Sequence, residues 1–203
     1  RIPYEVPSLQ EIPERLDSVL QVIYLVFNEG YSPSNGQTIT RADLAGEAIR
    51  LGRLLVDLLP ATVQEGEPIG LLALMLLQQS RSGARATVEG DLITLEDQDR
   101  SLWNQEQIRE GAALVLRALH TRRSGIYTLQ AAIAALHAQA PSAAATDWAE
   151  IAGLYAVLMR VAPSPVVALN HAVAVAMRDG PEAGLLLVEN IFASGQLGEY
   201  YLA

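Results

Sequence analysis

Residues 147–174, DWAEIAGLYAVLMRVAPSPVVALNHAVA, carry the clearest structural signal in the chain. Apolar segments lie on both sides of the breaker APSP at 162–165, and the first, 147–161, is long enough for about four helical turns. Small and branched apolar residues recur at three- and four-residue steps on both sides, and the prolines interrupt a continuous helix. The stretch therefore predicts two antiparallel helices joined by a tight turn.

An internal repeat extends this helix pair toward the N-terminus. LQAAIAAL at 129–136 aligns with LNHAVAVA at 169–176, which places Gln130 over Asn170. A predicted helix precedes each copy. Small residues at fixed positions allow paired helices to approach closely, a pattern typical of tetratricopeptide-like arrays. The alternative is an irregular helical bundle.

Apolar periodicity and capping residues predict eight helices in all. They run from about Ile12 to Gly30, from Thr40 to Pro60, from Pro68 to Ser80, and over about 104–121, 126–139, 147–161, 165–178 and 181–193. The caps or first-turn residues of the later helices include Asn104, Asp147, Pro165 and Pro181. We expect the first helix to pair with the second and the third with the fourth, giving about four hairpins. The third helix is apolar nearly all round and should lie at the centre.

Two segments depart from the helical pattern. Residues 84–95, ARATVEGDLITL, place apolar residues on both sides of a glycine-containing turn and predict one small β-hairpin near residues 84–95. Residues 1–10 carry prolines that predict an extended linker. The expected fold is all-α: one domain over 11–203, built of stacked antiparallel helix pairs in a tetratricopeptide-like superhelix.

Composition narrows the range of functions. The chain has 14 cationic residues, all of them arginine, and 23 acidic residues, which gives a net charge of −9. That sign opposes direct binding of nucleic acid, which needs a basic surface to displace counterions. There is no cysteine, and the longest apolar stretch, near 69–77, is too short to span a membrane. We expect a cytoplasmic protein that binds no membrane.

The sequence contains no pattern that predicts catalysis, a metal site or a cofactor. The three histidines, His120, His137 and His171, fall in different predicted helices and lack a partner at metal-binding spacing. The acidic loop EDQD at 96–99 lacks the glycine and distal glutamate of a calcium loop, and capping with a salt-bridged turn to Arg100 is the favoured interpretation. We expect no enzyme and no cofactor.

A candidate interaction surface combines the polar end of the first helix, the acidic loop and the repeat positions. Its residues are Asn28, Glu29, Tyr31, Glu96, Asp97, Asp99, Arg100, Trp103, Gln130 and Asn170. For Trp103, packing against the core is the favoured role.

Five segments resemble the C-terminal region of bacterial extracytoplasmic-function (ECF) sigma factors that carry a tetratricopeptide-like extension. They are VPSLQEIPERLDSVLQVIYLVFNEGYS (6–32), LLALMLLQQSR (71–81), LEDQDRSLW (95–103), LQAAIAALHAQAPS (129–142) and TDWAEIAGLYAVLMRVAPSPVVALNHAVAVA (146–176). The resemblance covers nearly the whole chain. It implies that the chain begins after sigma region 4 and is a fragment truncated at EYYLA before its last helix closes.

What the resemblance implies for function is non-catalytic regulation of transcription initiation by RNA polymerase. Its expected partners are proteins, namely sigma regions 2 and 4 of the parent chain and the core polymerase, while promoter DNA is bound by the parent and not by this fragment. Two alternatives stay open. One is a sensor whose groove near Asn28, Glu29, Tyr31, Gln130 and Asn170 holds a small molecule, and the other is a hydrolase using the EDQD carboxylates.

Overall fold

The computed structural model describes residues 11–31, 42–60, 66–87, 90–121 and 124–193. Within these ranges the chain forms eight α-helices and three short 3-10 turns, which confirms the all-helical class. The helices are α1 (Ile12–Tyr31), α2 (Ala42–Leu58), α3 (Gly66–Gln79), α4 (Gln105–Leu119), α5 (Ile126–Gln139), α6 (Trp148–Val161), α7 (Pro165–Asp179) and α8 (Pro181–Ala193). The predicted linker 1–10, the cap Thr40 and the segment EYYLA lie outside the described residues.

Local capping explains where several helices begin. The Asn104 side-chain oxygen accepts hydrogen bonds from the backbone N–H groups of Glu106 and Gln107, 3.0 and 3.1 Å away, at the start of α4. Asp147 caps α6 in the same way through Glu150 N at 2.9 Å. Pro165 occupies the first turn of α7, where a missing N–H costs nothing. These predicted start signals are confirmed.

α3 is the central helix, as its all-round apolar sequence predicts. Every residue from Pro68 to Leu77 is buried. α3 packs most extensively on α4 and α5. At the α3–α5 crossing a side chain on Gly70 would lie 2.5 Å from Thr128 Oγ1 and 2.6 Å from Thr128 N, so only glycine allows this separation.

The order of helix pairing differs from the prediction in the second half of the chain. α1 pairs with α2 and α3 with α4, as expected, and α7 packs on both α6 and α8. α5 packs more extensively on α3 than on α6, because Ala131 and Ala135 let it approach the leucines of α3. α5 and α7 have little direct contact, and a groove lies between them.

The predicted β-hairpin at 84–95 does not appear as a pair of strands among the residues described there. Their pairing is one isolated antiparallel bridge, Ala86 to Leu92, with hydrogen bonds from Thr87 N to Asp91 O of 2.9 Å and from Ile93 N to Arg85 O of 2.8 Å. Leu92 is exposed and Ile93 is half-buried, so these residues bury little apolar surface. A two-stranded ribbon that buries so little is only marginally stable.

Candidate ligand-binding groove

Two adjoining cavities form a groove between α5 and α7, closed at one side by the loop of residues 95–100. The smaller, of about 260 Å³, is the Arg81 cavity, and the larger, of about 450 Å³, is the Trp148 cavity. Leu95 and His137 line both. The Arg81 cavity is further lined by Leu74, Gln78, Arg81, Gln130, Ile133, Ala134, Tyr155 and Asn170, and the Trp148 cavity by Glu96, Arg100, Ala143, Ala144, Thr146, Trp148, Val173 and Met177.

Arg100 is fixed in the wall of the groove by its own loop. Asp99 caps the short 3-10 turn Arg100–Leu102 through Ser101 N at 2.9 Å. The Arg100 guanidinium donates to the carbonyls of His137 and Ala140, at 2.9 and 2.8 Å, and lies 4.3 Å from the ring centre of Trp103. Arg100 thereby satisfies the exposed carbonyls at the C-terminus of α5, where a cation is favourable.

Arg81 contributes a second cation with a different environment. Burial, together with nearby Arg85, lowers the pKa of the Arg81 guanidinium, and the Tyr31 side chain is hydrogen-bonded to it. Arg85 itself lies 3.8 Å from the centre of the Tyr31 ring and donates to the Tyr31 carbonyl at 2.9 Å. Among the described residues, no carboxylate forms an ion pair with Arg81, Arg85 or Arg100. The desolvated charge of Arg81 is therefore poorly compensated.

His137 lies where the two cavities meet. Burial, and then the charges of Arg81 and Arg100, lower its pKa to about 4. Its ring packs edge-to-face on Trp148 with 5.2 Å between ring centres. At neutral pH the imidazole is uncharged and offers the groove one donor and one acceptor nitrogen.

A half-buried polar network connects α1 to the Arg81 cavity. The Tyr24 hydroxyl is hydrogen-bonded to the side chains of Asn28 and Gln78, and burial raises its pKa. Gln78 lines the cavity directly. Asn28 is therefore linked to the groove through Tyr24 and Gln78, and Tyr31 is linked to it through Arg81 alone.

The structure brings part of the predicted interaction surface together. Glu96, Arg100, Gln130 and Asn170 line the two cavities. Trp103 is only 4% exposed and packs in the core, as favoured from sequence, rather than in the groove. Asp97 accepts a 2.6 Å hydrogen bond from Thr94 and Asp99 acts as a cap, while Glu29 lies half-buried at the end of α1.

The acidic loop behaves differently from the prediction in one respect. Asp99 caps the turn, but Arg100 forms no salt bridge with the EDQD carboxylates among the described residues and turns toward the end of α5 instead. Pro141 lacks the N–H that could continue the helical hydrogen bonding to the His137 carbonyl, so this oxygen is available to the guanidinium. No three histidine or acidic side chains in the described ranges are grouped so as to hold a metal ion.

Sequence reasoning missed Arg81, Tyr155 and Trp148 as groove residues. His120 lies at the C-terminus of α4 and caps it, with Nδ1 2.6 Å from the Leu116 carbonyl oxygen. The one signal for Arg81 is its position as the first cation after the long apolar run of α3. A search of the described helices finds none that is both long and apolar enough to span a membrane.

The fold and the groove define an all-helical domain with a polar, cation-bearing cleft. Residues 15–119 match the profile of a family of unknown function, DUF6596, and the chain belongs to this family. The chain is also 54% identical over 188 residues to an uncharacterized protein of Rhizobium meliloti (strain 1021). That match covers 93% of this chain and 44% of the relative, so the chain spans less than half the length of that protein. No solved structure matches the chain.

Proposed function

We propose that this chain is a non-catalytic regulatory domain of a longer cytoplasmic protein of the ECF sigma factor class, and that it modulates transcription initiation by binding protein. The five resembling segments support this proposal. The relative supports it too, because more than half of that protein lies outside the match and leaves room for DNA-reading domains. In this proposal promoter DNA is contacted by those other domains.

The helices suit a tetratricopeptide-like superhelix. Among the first five helices, each helix contacts the next one in the chain. In addition, α3 contacts both α1 and α5. Such stacking is what repeat arrays use to build extended binding surfaces. The weak contact between α5 and α7 would then be a place where the array opens.

The observation that carries the proposed binding role is an exposed leucine stripe on α2. Leu44, Leu54 and Leu58 are 36%, 44% and 72% exposed. At 3.6 residues per turn they lie within about 80° of one another around the helix axis. Exposed Asp43 and Asp57 lie along one side of the stripe, and exposed Glu47, which is paired with Arg50, lies within it. An apolar stripe with acidic side chains beside it complements an amphipathic helix that carries basic residues, which is a helix-in-groove mode of recognition.

Promoter-dependent transcription by the full-length parent protein tests this role. The double variant Leu54→Ser, Leu58→Ser should change transcription and weaken retention of separately expressed sigma regions 2 and 4. Leu185→Ser, Leu186→Ser on α8 is the matched control, because those leucines are 58% and 61% exposed on a helix that packs on α7. Equal transcription and equal retention in both double variants would contradict the proposal.

A second candidate function is sensing of a small molecule. The observation that favours it is the groove, in which Gln130 and Asn170, equivalent positions of the internal repeat, line one cavity. This polar cavity adjoins the larger, mainly apolar Trp148 cavity, and a groove that combines apolar walls with a few convergent polar groups is typical of small-molecule sites. A thermal-shift screen tests it, since a ligand at 100 times its dissociation constant stabilises the fold by about 2.7 kcal/mol.

A further inference from the structure

We propose that the groove binds an amphipathic small-molecule anion, with a carboxylate or phosphate head group at Arg81 and an apolar body against Trp148. This inference deepens the sensing function and rests on it only in requiring that the groove hold a ligand. It is independent of docking by the leucine stripe on α2.

The charge of the groove is opposite to that of the whole protein. The chain has a net charge of −9. Among the described residues that line the two cavities, however, Arg81 and Arg100 are cationic and Glu96 alone is acidic. Glu96 is exposed and belongs to the Trp148 cavity. The two arginines differ in availability, because Arg100 already donates to two carbonyls of the α5 terminus. A bound anion would therefore compensate the charge of Arg81 more than that of Arg100.

The polar partners cluster at the Arg81 end. Gln78, Gln130, Tyr155 and Asn170 line the same cavity as Arg81. Burial raises the pKa of Tyr155, so its hydroxyl stays protonated and can donate at neutral pH. Amide and hydroxyl donors around an arginine are the set that carboxylate and phosphate oxygens need.

The other end of the groove is apolar. The larger cavity is lined mainly by apolar side chains, namely Ala143, Ala144, Trp148, Val173 and Met177. Val173 and Met177 are 51% and 52% exposed, so part of this apolar surface is uncovered. His137 stands at the boundary and is neutral at pH 7, so it adds no charge that would favour a second anion. A polar end and an apolar end joined in one groove fit a ligand with the same division.

Intrinsic fluorescence offers a direct readout, because one of the two tryptophans of the chain, Trp148, lines the groove. Trp148 lines the larger cavity and Trp103 lies under the Arg100 guanidinium. The probes are octanoate, octyl phosphate and octanol, which share an eight-carbon chain (about 10 Å of apolar body) and differ in head group. Octanoate or octyl phosphate should give a saturable fluorescence change, lost in Trp148→Phe, and the tighter of the two identifies the head group.

Substitutions at Arg81 separate anion binding from simple apolar binding. Arg81→Gln should weaken binding of the anionic probe by about tenfold or more, because a charge-assisted contact is removed. Arg81→Lys keeps the positive charge and should retain most of the affinity, which distinguishes loss of charge from a merely structural effect. Arg160→Gln changes an exposed arginine on α6, away from the groove, and should bind the probe like the parent chain. Equal binding of octanol and octanoate, unchanged affinity in Arg81→Gln, or no saturable signal at millimolar probe would overturn the assignment. Failure of sigma-region retention alone would leave it standing.

Discussion

Glu67 joins two helices through a single carboxylate. Its two oxygens accept hydrogen bonds from Gly125 N, Tyr127 N, Thr128 N and Thr128 Oγ1, at 2.8 to 3.0 Å. Gly125 has no side chain with which to cap α5, so a residue of α3 provides the cap instead. The contact ties the start of α5 to the central helix.

Removing that carboxylate should destabilise the fold. Glu67→Ala leaves several N–H groups of the α5 terminus without an acceptor, and we expect it to lower the free energy of unfolding by about 2 to 4 kcal/mol. Urea unfolding followed by circular dichroism measures the change. Glu14→Ala, at an exposed position in the first turn of α1, is the control and should change stability by less than about 0.5 kcal/mol. Similar losses in both variants would contradict the capping role.

The neutral His137 makes stability depend on pH. The unfolded chain takes up a proton near the ordinary histidine pKa of about 6.5, whereas folded His137 stays neutral until about pH 4. The free energy of unfolding is therefore unaffected by this group above pH 6.5 and falls as the pH drops from about 6.5 to about 4. Since the ring is partly exposed, we expect a loss of about 2 kcal/mol over that window.

His137→Gln isolates this effect. The difference in unfolding free energy between the parent chain and this variant should change steadily between pH 6.5 and pH 4 and be level above pH 7. His171, whose pKa is also lowered by burial, will leave a smaller slope in the variant. A difference that does not vary with pH would show that His137 titrates normally in the folded protein.

At the scale of helices, close packing of α3 on α5 depends on Gly70. A Cβ there would meet backbone as well as side-chain atoms of Thr128, which cannot simply rotate away. Gly70→Ala should therefore destabilise by about 1 to 3 kcal/mol, since the helices must separate. The measurement is the urea midpoint.

Gly46→Ala is the matched control, because a Cβ at this exposed position of α2 meets nothing within 4 Å. Alanine has the higher helix propensity, so this variant should be more stable by about 0.5 to 1 kcal/mol. Opposite signs in the two variants support the close approach. Stabilisation by both would show that the helices are farther apart than described.

Local signals predicted the helices well, and tertiary contacts explain what they missed. Asn104, Asp147 and Pro165 act within their own first turn, so sequence alone placed these helix starts correctly. The α3–α5 packing depends on Gly70 meeting Thr128, residues far apart in the chain, and no local pattern predicts it. The hairpin prediction rested on apolar residues on both sides of a glycine-containing turn, which are local signals and do not reveal that Leu92 stays exposed.

The groove was predictable only in part for the same reason. The repeat placed Gln130 and Asn170 at equivalent positions, and both line the Arg81 cavity. Arg81 lies in the turn after α3 and His137 lies on α5, and their proximity arises because α5 packs on α3. The sequence therefore marked the two repeat positions and did not reveal Arg81 and His137 beside them.

Over the whole molecule, burial decreases from the centre toward the C-terminal helices. α3 buries residues along nearly its full length, whereas the buried residues of α7 are Ala172, Ala174 and Val175, and that of α8 is Gly184. Helices with few buried apolar contacts open at lower free energy. We expect native-state hydrogen exchange to be faster in α7 and α8 than in α3, while equal protection in all three would contradict a graded core.

We propose that this domain regulates a longer protein by binding its other domains through the stripe on α2. Isothermal titration calorimetry at low and high salt measures the affinity of the chain for separately expressed sigma regions 2 and 4. We predict saturable binding that weakens with salt, because the acidic side chains beside the stripe attract a basic partner. The variant Leu54→Ser, Leu58→Ser should weaken this binding much more than Leu185→Ser, Leu186→Ser does. Absence of heat at either salt concentration, or equal affinity in both double variants, would contradict it.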